Sequence, residues 1–269
     1  MFRLSKSLPW WLAAVLILCS ATQVLASSAK PGELDLLFTE KKKLFHSNGK
    51  LASIGELGTF RIMKVKKVKG KTKLVKVLKE LPVGIWKSFW ANGNKQTVDV
   101  YCNAFQAKQH VCKFGEKHGV FRSWYSDGKP RTQRSFSHGK LEGEVIAFYS
   151  TGRRQSVHRY KAGKREGRAE AWWSNGKSAL EGSYKAGQRT GLWREFYSDG
   201  KLKYVKSYLN GKLNGTFVEY WSVCSPSGCF HRKMVQGFYN NGKKTGKWRY
   251  WDLQGTPTNE SQWKIQYSN

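Results

Sequence analysis

Residues Trp193–Gly215 read WREFYSDGKLKYVKSYLNGKLNG, and most of that wording occurs elsewhere in the chain. FRSWYSDGKPRTQRSFSHGKLEG begins at Phe121 and WKSFWANGNKQTVDVY at Trp86. Gly119, Gly143, Gly167, Gly191 and Gly215 are spaced 24 residues apart. A second glycine follows most of them by nine residues (Gly128, Gly152, Gly176, Gly200) and a third by twenty (Gly139, Gly163, Gly187, Gly211). Paired aromatics precede the second glycine: Trp124-Tyr125, Phe148-Tyr149, Trp172-Trp173 and Phe196-Tyr197. One more aromatic precedes the third: Phe136, Tyr160, Tyr184 and Tyr208. A self-similar period of this length is the signature of a repeat architecture.

Each copy reads as a β-hairpin. An aromatic-rich run leads into Ser-Asp-Gly-Lys or Ser-Asn-Gly-Lys, where glycine accepts positive φ and the Asx side chain can bond its own backbone. A second strand follows, and the third glycine marks the turn back. Neighbouring residues of a strand point to opposite faces, which leaves one of each aromatic pair for the core and the other for an exposed groove. A lone hairpin of this size buries too little to offset the ordering of its backbone, so copies must pack side by side. The expected fold is all-β: an elongated, twisted antiparallel sheet of tandem hairpin repeats of about 24 residues.

The register extends beyond the regular block. Units start near Gly84, Gly119, Gly143, Gly167, Gly191, Gly215 and Gly246, which defines a repeat array over residues 84–269. Residues 27–83 hold a degenerate first unit, with FHSNGK at Phe45–Lys50, and a lysine-rich hairpin. Two units are stretched by insertions, one carrying Cys102 and Cys112, the other Cys224 and Cys229. Two local disulfides, each stapling an inserted loop, fit this placement best. A four-cysteine zinc site is the rival, although the gap between Cys102 and Cys112 exceeds normal ligand spacing.

The chain carries 48 Lys+Arg against 18 Asp+Glu, a formal net charge of +30. Such an excess favours anionic partners: lipid headgroups, acidic polysaccharide or nucleic acid. Residues 1–26 read as a signal peptide, with Arg3 and Lys6 before an apolar run from Leu8 to Leu18 and small residues at Val24-Leu25-Ala26. The expected location is outside the cytoplasm, periplasmic or extracellular, where disulfides form. The basic character concentrates in MKVKKVKGKTKLVKVLKE, Met63 to Glu80. Lys64, Lys66, Lys67, Lys69, Lys71, Lys73 and Lys76 are its candidate contacts to an anionic partner, including the surface of a membrane. They serve equally as charges that keep a sheet edge from pairing. Gly70-Lys71-Thr72 is not a phosphate loop, because Val65 stands where the first glycine is needed.

No catalytic constellation emerges. The histidines (His46, His110, His118, His138, His158, His231) share no repeat position and no metal-pair spacing. Ser126, Ser150, Ser174, Ser198 and Ser222 recur beside the turn, where a hairpin role explains them. Asp127 and Asp199 exchange with Asn92 and Asn175 in equivalent places, as turn residues do and catalytic carboxylates do not. No cofactor or metal is implied. Trp124, Tyr149, Trp172, Trp173, Tyr197 and Trp221, interleaved with Lys and Arg, are candidates for an aromatic binding face. Stacking faces with nearby cations suit single-stranded nucleic acid, acidic glycan or an extended peptide.

The unit G-x-W-x-x-F-Y-S-D-G-K with a later Tyr-x-x-Gly resembles a MORN-type repeat, and more closely the bacterial variant in exported proteins often catalogued as antitoxin-like. The likeness covers Gly84 to about Gly255, and weakly the region from Phe45. It implies a scaffold or interaction surface, not an enzyme. Together with leader and charge, this points to an exported binding module for an anionic envelope component or another protein. A nucleic-acid binder and, behind it, an envelope-polymer hydrolase are the alternatives.

Overall fold

The structure, a computed structural model, describes residues 34–68, 71–109, 111–225 and 228–267. The expected leader therefore lies outside the described residues. Sixteen strands form one antiparallel sheet in strict sequence order. They are β1 (Leu34–Phe45), β2 (Leu51–Val68), β3 (Lys71–Phe89), β4 (Lys95–Tyr101), β5 (Gly119–Trp124), β6 (Pro130–Ser137), β7 (Lys140–Phe148) and β8 (Arg154–Lys161). There follow β9 (Lys164–Trp172), β10 (Ser178–Lys185), β11 (Gln188–Phe196), β12 (Leu202–Leu209), β13 (Lys212–Ser225), β14 (Gly228–Asn240), β15 (Lys243–Trp251) and β16 (Pro257–Thr258). The short helix α1 (Ala104–Lys108) sits in the first cysteine insertion, and α2 (Glu260–Tyr267) follows β16. The chain divides into two compact units. One comprises Met1–Glu40 with Gly58–Glu80; the other comprises Lys41–Leu57 with Leu81–Asn269 and contains the repeats.

Two turn types alternate along the repeats. In the turns at each unit's second glycine the amide of Gly128, Gly152, Gly176 or Gly200 donates back to the carbonyl of the second aromatic. The Asx side chain accepts from the amide two residues on: Asp127 from Lys129, Asn175 from Lys177, Asp199 from Lys201. The opposite turns are two-residue type I′ turns with positive φ at both positions: His138-Gly139, Ala162-Gly163, Ala186-Gly187, Asn210-Gly211 and Asn241-Gly242. The twist of such turns matches the strands they join.

One row of side chains crosses the sheet at the position two residues after each unit's first glycine. In register it runs Phe121, Arg134, Val145, His158, Ala169 and Gly182. It resumes with Trp193, Lys206, Phe217 and Gly237. Phe121, Ala169, Trp193 and Phe217 are among the buried residues. Where the row carries tryptophan, the preceding strand carries glycine. A Cβ on Gly55, Gly182 or Gly237 would collide with the ring of Trp86, Trp193 or Trp248. Two of those rings donate to the carbonyl next to that glycine, Trp86 Nε1 to Glu56 and Trp193 Nε1 to Ser183.

The seams between repeats are closed by the second aromatic of each pair. Tyr125 Oη donates to Phe148 O at 2.7 Å, Tyr149 Oη to Trp172 O at 2.8 Å, and Trp173 Nε1 to Phe196 O at 3.0 Å. Tyr197 Oη donates to Tyr220 O at 2.7 Å, and all four bonds span 23 residues. The same link spans 34 residues from Trp90 Nε1 to Trp124 O and 30 from Trp221 Nε1 to Trp251 O, across the two cysteine insertions. It spans 43 residues from His46 Nε2 to Phe89 O, so the degenerate first unit is closed in the same way. At the type I′ edge, Gly163, Gly187 and Gly211 amides donate to the Leu141, Arg165 and Arg189 carbonyls of the preceding unit. There Glu142 and Glu166 accept from the Ala162 and Ala186 amides.

Cys102 and Cys112 form the expected local disulfide. Cys229 is disulfide-bonded and stands opposite Cys224 in the β13–β14 register, while the Cys224 side chain lies outside the described residues. Helix α2 packs Trp263 on Tyr250 at 5.5 Å and Tyr267 on Trp221 at 4.9 Å between ring centroids. Glu260 at its start pairs with Lys264 and Lys244, whose hydrogen bonds hold its carboxyl well below the usual range.

Candidate functional site

The lysine-rich stretch has a hairpin backbone, with Lys64, Lys66 and Lys67 on β2 and Lys71, Lys73 and Lys76 on the adjoining β3. Lys69, like the side chains of the other six, lies outside the described residues. Of the aromatic candidates, Tyr149, Trp173, Tyr197 and Trp221 are seam donors, their polar ends committed to a backbone carbonyl. Trp124 and Trp172 supply seam acceptors through their backbones, and their rings are half-buried. Tyr149, Trp173 and Tyr197 sit in the turn, not on a strand, so strand alternation does not govern where they point, whereas Trp221 lies on β13.

A different set of aromatics meets the cations. On the row that begins at the type I′ edge, tyrosine and arginine alternate strand by strand from β8 to β12: Tyr160, Arg165, Tyr184, Arg189, Tyr208. Register sets Tyr160 opposite Arg165 and Tyr184 opposite Arg189. Arg165 Nε donates to Tyr160 Oη at 3.2 Å, and its terminal nitrogen to Tyr184 Oη at 2.7 Å. Arg189 donates to Tyr208 Oη at 3.2 Å and stacks over the Trp193 ring at 4.5 Å. The hydrogen bond to Tyr160 raises the basicity of Arg165, and at Arg189 burial works downward while hydrogen bonds to tyrosine outweigh it. All five side chains are half-buried. Among the described residues, neither arginine has a carboxylate within salt-bridge distance, whereas Arg159, Arg168 and Arg194 each pair with a glutamate. Sequence reading singled out Tyr160, Tyr184 and Tyr208 as repeat markers. The signal it passed over was an arginine two residues before Gly167 and Gly191.

Next to this ladder, Lys206 lies over the Tyr204 ring at 3.6 Å and the Phe217 ring at 5.0 Å. Burial lowers its pKa against the opposing charges of Glu219 and Glu195. Burial also raises the Tyr204 pKa, with a hydrogen bond to Glu195 adding to it. His158 is pushed below its ordinary pKa by burial and then by Arg165, and its Nδ1 is buried without a hydrogen bond.

Ser222, His231 and Asp199 converge, with Ser222 Oγ at 3.1 Å and Asp199 Oδ2 at 2.9 Å from His231. Both meet the same nitrogen, Nε2. A nucleophile–base–acid relay needs the serine on one ring nitrogen and the carboxylate on the other. This trio therefore ties the Asp199 turn to the β13–β14 hairpin and lacks the geometry of a hydrolytic triad. Among the described residues no three His, Cys, Asp or Glu gather as metal ligands. One surface depression is lined by Leu209, Asn210, Lys212, Asn214, Asn240 and Asn241.

Tandem hairpins joined edge to edge, with paired seams and no converging cleft among the described residues, define a β-repeat protein that offers a surface. The family described as MORN repeat variant matches residues 82–103, 117–138 and 189–210. These three stretches are similar to MORN repeats, a likeness that suggests a repeat-based binding or scaffold module. A comparison with curated proteins found no match.

Proposed function

We propose that this chain is an exported, non-catalytic MORN-repeat platform that binds an anionic component of the cell envelope. The observation that carries the reading is charge without compensation: a net +30, with the Arg165 and Arg189 guanidiniums set among tyrosines and apart from carboxylates. Cations presented in this way attract anions at long range and hold them at short range. The leader at residues 1–26 and the cysteine pairs support a periplasmic or extracellular location. The run of lysines at 64–76 adds a second cationic segment that can touch anionic membrane at its periphery.

The test is a salt titration of the leaderless chain against anionic vesicles, lipopolysaccharide and cell-wall polymer. The expected result is binding that weakens steeply as ionic strength rises. Absence of binding to all three at low ionic strength would overturn the anionic-partner reading and leave a protein scaffold.

A further inference from the structure

We infer that the Tyr160–Arg165–Tyr184–Arg189–Tyr208 ladder is a track for a linear acidic polysaccharide carrying one carboxylate per disaccharide. This inference rests on the anionic-partner reading above and names the class of partner.

Spacing comes first. Arg165 and Arg189 occupy equivalent places on β9 and β11, two strands apart. Strands lie about 4.8 Å apart, so the backbones that carry the two guanidiniums recur at about 9.6 Å, close to the length of a disaccharide in an extended β-linked chain. From β8 to β12 the ladder covers about 19 Å, the span of a tetrasaccharide.

The donor chemistry comes second. A guanidinium offers five N–H groups in a planar fork. Arg165 uses one on Tyr160 and one on Tyr184, leaving N–H groups for a carboxylate. Each hydroxyl that accepts from arginine keeps its own proton, and no hydrogen bond among the described residues takes it from Tyr160, Tyr184 or Tyr208. The ladder thus alternates a fixed cation with a neutral O–H donor. An acidic glycan alternates a carboxylate-bearing sugar with one rich in hydroxyl acceptors. The tyrosines also lock the arginines in place, so little side-chain entropy is lost when an anion binds. Half-buried between rings, the cations are open to a slender chain more readily than to a flat bilayer.

The experiment measures binding of hyaluronan oligosaccharides, which alternate uronic acid with amino sugar, to the leaderless chain by calorimetry. Neutral chitin oligosaccharides and phosphatidylglycerol vesicles serve as comparisons. The expected result is saturable hyaluronan binding that improves up to the tetrasaccharide, with no chitin binding. Arg165→Gln with Arg189→Gln should weaken it at least tenfold, and should weaken vesicle binding by a smaller factor. Because the arginines also support the fold, a second variant replaces Tyr160, Tyr184 and Tyr208 with Phe. It keeps the rings and removes the O–H donors, and it should lose several-fold affinity at unchanged circular dichroism. Hyaluronan binding unaffected in both variants would overturn the inference. Vesicle binding without any hyaluronan binding would overturn it too, yet leave the broader reading standing. Failure of both ligands would overturn the inference, and failure of lipopolysaccharide and cell-wall polymer as well would overturn the broader reading.

Discussion

The hydroxyl of Tyr149 donates to the carbonyl oxygen of Trp172, 2.8 Å away and one repeat further along the chain. The same bond closes every seam from His46 to Trp221. Tyr149→Phe keeps the ring and leaves that carbonyl without its donor. The expected cost is about 1 kcal/mol, measured as a lower urea midpoint at unchanged slope. No loss of stability would mean that water replaces the bond freely.

Close approach of Trp193 to the backbone of Gly182 leaves no room for a methyl group. Gly182→Ala should therefore destabilise the chain by roughly 1–3 kcal/mol, as overpacking does. Adding Trp193→Phe, which shrinks the ring, should recover part of that loss. A double variant less stable than the sum of the single changes would contradict this account. Unfolding followed by tryptophan fluorescence reads both.

Ala186 holds φ at 51°, a left-handed conformation that alanine adopts at a cost. Ala186→Asn, which creates an Asn-Gly turn like that at Asn210-Gly211, should raise stability by about 0.5–1 kcal/mol. A thermal midpoint unchanged or lowered would show that strain is absent there.

The depressed pKa of His158 makes the fold sensitive to acid. Its folded pKa lies below the ordinary value of 6.5, so its contribution is complete above that value and is lost as the pH falls through the folded pKa. His158→Phe should flatten the decline in melting temperature on acidification and leave the neutral value nearly unchanged. An equally steep decline in the variant would place the acid-sensitive group elsewhere.

Reduction of Cys102–Cys112 frees a short loop carrying α1. The expected loss is roughly 3 kcal/mol from loop-closure entropy, confined to the insertion. Hydrogen exchange should rise around Asn103–Lys117 and stay unchanged at β9–β12. Exchange rising along the whole array would show that the staple supports the repeats themselves.

Most of the fold was readable from spacing, because a turn that needs positive φ fixes glycine at a set offset whatever surrounds it. Gly128 and Gly139 mark both edges of a hairpin without any knowledge of packing. The seams were harder to see because their chemistry is degenerate. The donors are His46, Trp90, Tyr125, Tyr149, Trp173, Tyr197 and Trp221, which share no shape but all carry an N–H or O–H. Phenylalanine occurs freely at the preceding position, as in Phe45, Phe89, Phe148 and Phe196, and never among the donors. That contrast was in the sequence all along. The Tyr–Arg ladder could not be read in this way, since Leu141 and Leu213 replace arginine in neighbouring copies. Arginine recurs at that offset in two adjacent units alone, and the register shows what their side chains meet.

Because each copy brings a donor for the copy ahead and an acceptor for the copy behind, the array behaves like a zip whose teeth are interchangeable. Excising one whole period, cut at matching points in two turns, would bring a fresh donor against an equivalent carbonyl. Lengthening by duplication would work in the same way. A lineage could thus tune the reach of such a molecule by gene duplication alone, without redesigning a single joint.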